Sequence, residues 1–217
     1  MIFDVIDRSA IERLTYEYGG EWEVNHARRL VQTISVIGKG LAHNQEVVWI
    51  AAHLHDWGSC PKWAKEGVSH SIKSKTLAER YLQKARYPTD RMALVLEAIE
   101  FHHGGSEGRS TEAVLLSDAD AIDALGVIGV LREFAMLPCE YRGGYSFPTV
   151  LGLQDAYERA QMRKENSFCM LRLESSRRLA RQRIKDMDPL FAQLEKGTLP
   201  AASEARGREW LTRIRSL

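Results

Sequence analysis

His55 and Asp56 stand together at the end of an apolar run, Ala51-Ala52-His53-Leu54-His55-Asp56-Trp57-Gly58. A carboxylate and an imidazole on a buried face are costly unless something compensates both. A divalent metal compensates both at once. Taken alone, the dipeptide would be an ordinary helix-terminal His and Asp near the surface. It does not stand alone. His26 lies upstream, His70 and His102-His103 lie downstream, and an acidic stretch follows at Asp118-Ala119-Asp120-Ala121-Ile122-Asp123. Imidazole and carboxylate in this proportion suit Fe, Mn, Zn, Ni or, with fewer imidazoles, Mg.

A helix presents one face to a metal, so each ligand must sit where its helix is otherwise apolar. His26 is followed by Ala27 and Leu30, while Arg28-Arg29 turn outward. His55 continues the stripe of Val48 and Ala51. His102 follows Ala98 and Ile99 at helical spacing, and Asp120 follows Leu116. Every candidate extends a buried face, as ligands drawn from several helices of a bundle do. Of the adjacent pair His102-His103, one is expected to face the site and the other away, because helix neighbours differ by about 100°.

The elements that must position these residues read as helices nearly throughout. A short helix over 11–18 closes at Gly19-Gly20. A second over 22–37 carries Val24, Ala27, Leu30, Val31, Ile34 and Ile37 on one stripe. Asn44 is the N-cap for 45–56. Ser69 starts a helix to about 85, and the next runs from 91 to about 103. Ser110 or Thr111 starts another, and 127–135 is helical and apolar. Residues 138–148 read as a loop, 153–165 and 168–194 as helices, the second interrupted at Pro189. A linker from 196 leads to a short tail helix at 208–214, whose Trp210 and Leu211 pack on the same chain or on a partner, allowing a homodimer. No convincing alternating strand pattern and no internal repeat is found. The expected fold is all-α, with residues 1–195 as one domain and 196–217 as a tail.

Composition agrees with a soluble protein. The 217 residues are 44% hydrophobic and 27% charged, with a formal net charge of +1. That charge gives no strong nucleic-acid signal. Three scattered cysteines, Cys60, Cys139 and Cys169, exclude a disulfide framework and a structural zinc knuckle. No apolar stretch approaches a membrane span and no signal peptide is read at the start, so a cytoplasmic location is expected.

The order His26, His55-Asp56, Asp120 resembles the HD-domain superfamily of metal-dependent phosphohydrolases. The lead Ala51-Ala52-His53-Leu54 into the doublet is similar to that family's small-apolar approach. Asp118-Ala119-Asp120-Ala121-Ile122-Asp123-Ala124-Leu125-Gly126 resembles its closing motif, in which Asp120 aligns with the metal ligand. The resemblance covers roughly residues 20–135. A weaker likeness to a little-characterised bacterial branch runs through Ser167-Phe168 and the run from Arg177 to Arg183. It implies the HD helical bundle with additional C-terminal helices. It also implies His26, His55, Asp56 and Asp120 as primary ligands. In two-metal branches further histidines hold a second ion, a place for His70, His102 and His103 around a bridging Asp56. Whether the site takes one ion or two stays open.

Other residues have plainer readings. His53 is a hydrogen-bonded helix residue and His43 lies in a loop. Asp118 replaces Asp120 if the register is off by a turn's half. Asp123 is placed to orient a ligand from behind, and Glu23 is a candidate for the same role. Lys62, Lys73 and Arg142 are candidates for holding a phosphate, with Lys73 grouped with His55, Asp56 and His70 in catalysis. Arg177, Arg178, Arg181 and Arg183 form a solvated face unless one closes over the site. Arg suits a phosphate better than Lys does, through bidentate hydrogen bonds.

The resemblance implies a hydrolase of phosphate mono- or diesters, nucleotides among them, acting on a small phosphate-containing substrate. Neither a Ser nor a Cys nucleophile motif occurs, in accord with attack by water, and no GxxxxGK[ST] loop is present. Two alternatives remain: a di-iron oxygenase of the same superfamily, and a non-catalytic ligand-sensing module.

Overall fold

The computed structural model describes residues 6–64, 66–136, 139–142, 145–148 and 150–196. The described residues form α1 (Arg8–Ile37), α2 (Gln45–Leu54), α3 (His70–Lys84), α4 (Thr89–Glu100), α5 (Thr111–Asp123), α6 (Gly126–Ala135), β1 (Cys139–Arg142), β2 (Tyr145–Pro148), α7 (Val150–Met170) and α8 (Glu174–Lys196). The fold is all-α. Among the described residues no helix is long and apolar enough to cross a membrane. The linker and tail helix expected over 197–217 lie outside the described residues.

α1 begins at Asp7, whose side chain accepts a hydrogen bond from the Ala10 amide. Its course breaks at Gly20, where φ is 68° and ψ is −162°. Only glycine takes that conformation cheaply. The two helices expected around Gly19-Gly20 are therefore the two limbs of α1. α2 is the central element. Val47, Val48, Ile50, Ala51, Ala52, His53 and Leu54 are all buried, so it is enclosed on nearly every side. Asn44 caps it, accepting from the amides of Glu46 and Val47. α1 and α4 flank α2, and α5 packs against α1, α2 and α4. Their apolar faces meet in one core that includes Leu30, Ile34, Ile50, Leu54, Ile99, Leu115 and Ile122. α6, α7 and α8 pack on one another and on α5.

The structure corrects four boundaries. α2 ends at Leu54 rather than at Asp56, so His55 and Asp56 lie in the turn leaving it. α4 ends at Glu100, before His102 and His103. α7 runs on to Met170, and α8 starts at Glu174; the residues from Phe168 belong to the earlier helix. α8 is continuous across Pro189, with Met187 and Phe191 buried on either side of it. That burial outweighs the lost amide donor.

The segment expected as a loop over 138–148 contains a short antiparallel ribbon. β1 and β2 pair Cys139 with Pro148 and Arg142 with Tyr145. Tyr141, Tyr145 and Phe147 are of the residue types that strands favour.

Candidate metal centre

Four helix ends and one helix face converge on the site. His26 comes from the second limb of α1, and Asp120 from α5. His55 and Asp56 come from the end of α2, His70 from the first residue of α3, and His102-His103 from the turn after α4. Asp56 lies between two groups of histidines. Its Oδ2 is 3.4 Å from His55 Nε2 and 4.0 Å from His26 Nε2. Its Oδ1 is 3.4 Å from His70 Nε2 and 3.7 Å from His102 Nε2. Asp120 Oδ1 is 3.3 Å from His26 Nε2, and its Oδ2 is 3.7 Å from His103 Nδ1.

The histidines are oriented from behind. His26 Nδ1 donates to Asp123 Oδ2 at 2.8 Å. His55 Nδ1 donates to the Ala52 carbonyl at 3.0 Å, and His102 Nδ1 to the Ile99 carbonyl at 2.6 Å. With the proton fixed on Nδ1, each neutral ring turns an Nε2 lone pair inward. His26 and His55 then face each other through Nε2 atoms 3.3 Å apart. Two lone pairs at that separation repel unless a cation or a proton lies between them. The spacing is about that of two ligands on one tetrahedral ion with bonds of about 2.0–2.1 Å.

Electrostatics agree. Burial opposes a proton on His55, but the charge of Asp56 outweighs it and takes the pKa up to about 9. Burial likewise opposes a proton on His26, and its bonds to Asp120 and Asp123 raise its pKa all the same. Burial is also outweighed at Asp56, where His55 and His102 hold the carboxyl well below the usual range. The other group behaves oppositely. Burial lowers the pKa of His70, and burial together with His102 takes His103 down to about 4. Asp56 Oδ1 is buried with no hydrogen-bond partner. That orphaned oxygen and the inward Nε2 atoms fit divalent-metal ligation. Three donor sets are close enough to hold an ion: His26, His55 and Asp56; Asp56, His70, His102 and His103; and His55, His102 and Asp120.

Asp120, not Asp118, faces the site. Asp118 turns the other way and accepts from the amides of Arg172 and Leu173 at 2.9 Å each, tying the turn between α7 and α8 to α5. Asp123 is 1% exposed and takes Arg29 and Arg132 as well as His26. Glu23 is half-buried near Asp56, and burial together with that negative charge raises its pKa. His102 and His103 both line the cavity beside the site, which corrects the expectation that one turns away. They lie in a turn, where the 100° rule of a helix does not hold.

The other phosphate candidates with described side chains lie elsewhere. Lys73 does not line the cavity; its Cβ lies over Gly58 on the flank of α3. Lys62 pairs with Glu17 at 3.0 Å. Arg142 lies in β1. Arg177 and Arg181 pair with Glu174, and Arg183 donates to the Ile122 carbonyl at 2.9 Å. His53 donates to the Trp49 carbonyl and stacks on Trp49, and His43 bonds the Leu41 carbonyl. Among the described residues, the arginines that do reach the cavity are Arg132 of α6 and Arg163 of α7. Sequence reasoning passed over both. The one available signal was Arg132-Glu133 in the otherwise apolar run of α6.

A model of the HD domain matches residues 24–125, the stretch from the His26 limb of α1 to the end of α5. Residues 24–125 of the chain are an HD domain. The chain is 31% identical over 105 residues to ribonuclease Y of Petrotoga mobilis, covering 48% of this chain and 19% of that protein. The chain thus spans about a fifth of the length of the curated relatives it matches. Solved structures extend the likeness in fold beyond the HD domain. A predicted HD superfamily hydrolase from an uncultured Thermotogales bacterium matches with a TM-score of 0.61 and 20% identity over 88% of this chain and 92% of that one. Bacillus subtilis YpgQ in complex with ADP matches with a TM-score of 0.64 and 22% identity over 89% and 95%.

Proposed function

We propose that this protein is a metal-dependent phosphohydrolase that cleaves a phosphate mono- or diester by direct attack of water. The observation that carries the reading is the setting of Asp56. One of its oxygens faces His26 and His55, and the other, buried and unbonded, faces His70 and His102. Such a carboxylate suits a bridge between two divalent ions. His26, His55, Asp56 and Asp120 would hold one ion, and Asp56, His70 and His102 or His103 the other. A bound divalent ion lowers the pKa of its water toward neutrality and draws charge from a phosphoryl oxygen.

The chain's own residues supply the rest. Asp123 and the Ala52 and Ile99 carbonyls fix the ring orientations of His26, His55 and His102. Burial keeps His70 and His103 neutral at physiological pH, so their ring nitrogens are available. Cys60, the thiol nearest the doublet, is no nucleophile: burial pushes its pKa up to about 12, and its Sγ bonds the Asp56 carbonyl. We take residues 1–195 as the catalytic unit and a small phosphate-containing molecule as its substrate. The local likeness to ribonuclease Y makes an RNA phosphodiester the first diester to test.

The test is a screen of the metal-loaded protein against phosphate monoesters, diesters and a short RNA, with Asp56→Ala alongside. Ester cleavage that disappears in Asp56→Ala is expected. Cleavage that persists in Asp56→Ala contradicts the assignment. Iron with oxygen consumption and no ester cleavage would establish the oxygenase instead.

A further inference from the structure

The cavity beside the metal cluster has a volume of about 250 Å³ and a second wall that ester cleavage does not itself require. Arg132 and Glu133 of α6 and Arg163 and Ser167 of α7 form that wall. An arginine offers five N–H donors in a planar fork. Arg29 gives two of its nitrogens to Asp123, and Arg159 gives two to Glu133 and Asp155. Arg132 and Arg163 are committed less fully. Arg132 gives Nη1 to Asp123, and its Nε is buried without a hydrogen-bond partner. Arg163 gives Nε to Glu133. Each guanidinium is thus anchored by one carboxylate and keeps donors for a further anion. Glu133 is matched on both oxygens, by Arg159 and Arg163, so it does not cancel the charge of the wall.

We propose that Arg132 and Arg163 form a subsite for a second phosphoryl group, carried by the same small molecule whose first phosphate lies at the metal cluster. The proposal deepens the hydrolase reading and rests on it. Guanidinium groups bind phosphate through parallel N–H···O bonds, and anchored ones lose little freedom in doing so. A substrate with a single phosphate at the metal cluster would leave these donors unused. A cavity of this volume takes a diphosphate rather than a length of polynucleotide.

The experiment compares AMP with ADP on metal-loaded wild type, Arg163→Met and Arg163→Lys, measuring Kd by calorimetry and kcat/KM wherever turnover occurs. Wild type is expected to bind ADP about tenfold more tightly than AMP, as a charge-assisted contact implies. Arg163→Met should bring that ratio close to one, and Arg163→Lys should restore part of it. The same pattern in Kd with no ester cleavage at all would support the subsite and sink the hydrolase reading. Cleavage with an ADP to AMP ratio that Arg163→Met leaves unchanged would overturn the subsite and spare the hydrolase. A 5′-phosphorylated RNA that responds to Arg163→Met while ADP does not would overturn the small-molecule assignment.

Discussion

Asp123 Oδ2 accepts a hydrogen bond from His26 Nδ1 at 2.8 Å, across 97 positions of sequence. The bond joins α1 to α5 and sets the tautomer of the first candidate ligand. Arg29 and Arg132 hold the same carboxylate in place. Asp123→Asn keeps the shape but removes the charge that fixes the His26 proton. Partners of this kind are worth roughly 10–100-fold in metal affinity. A competition titration with a chromogenic chelator should show a loss of that size while far-ultraviolet circular dichroism stays unchanged. Unaltered affinity would mean that Asp123 serves packing alone.

Metal uptake should release protons. The pKa of His55 stands at about 9, so the metal-free protein holds a proton there at pH 7, and the pKa of His26 beside it is raised as well. A ligating imidazole must be neutral. Apparent affinity should therefore rise as pH goes from 7 toward 9. The metal-free protein should show the opposite trend in stability. A raised folded-state pKa contributes stability that is full below the unfolded value of 6.5 and is lost as pH rises through about 9. Calorimetry in buffers of different ionisation enthalpy counts the protons directly. No buffer dependence at pH 7 would refute the charge state given to His55.

Gly58 couples the doublet to α3. A Cβ there would meet the His70 carbonyl at 2.4 Å and the Ser74 amide at 2.7 Å. The Gly58 amide also donates to Ser74 Oγ at 2.8 Å. Gly58→Ala must push the first turn of α3 away and take His70 with it. We expect a loss of about 1–3 kcal/mol in urea denaturation, the usual cost of overpacking. We also expect weaker binding of the ion nearer His70, with the other ion retained. Equal weakening of both ions would show that the shift is not confined to α3.

Much of this centre was legible in the sequence because ligands must extend apolar helix faces. His26, His55 and Asp120 all do so, and the structure brings His26 and His55 to within 4.0 Å of Asp56 and Asp120 to 3.3 Å from His26. The choice between Asp118 and Asp120 was not legible. Both lie on α5, and only the amides of Arg172 and Leu173, more than fifty residues on, claim Asp118. The placing of His103 fails for a local reason: α4 stops at Glu100, two residues before His102, so the helical rule does not reach the pair. Lys73 was chosen for its nearness to His70 in sequence, but the flank of α3 carries it away from the cavity. Arg132 and Arg163 were missed because nothing in sequence links α6 and α7 to the doublet; only packing on α5 brings them round.

Metal content per chain, by elemental analysis of protein purified without chelator, tests the central claim most directly. Wild type and His70→Ala should be measured together. A site bridged by Asp56 predicts close to two ions in wild type and close to one in His70→Ala. One ion in both proteins would contradict the bridge and leave His70 beside a mononuclear centre. No ion in either would contradict the metal centre itself.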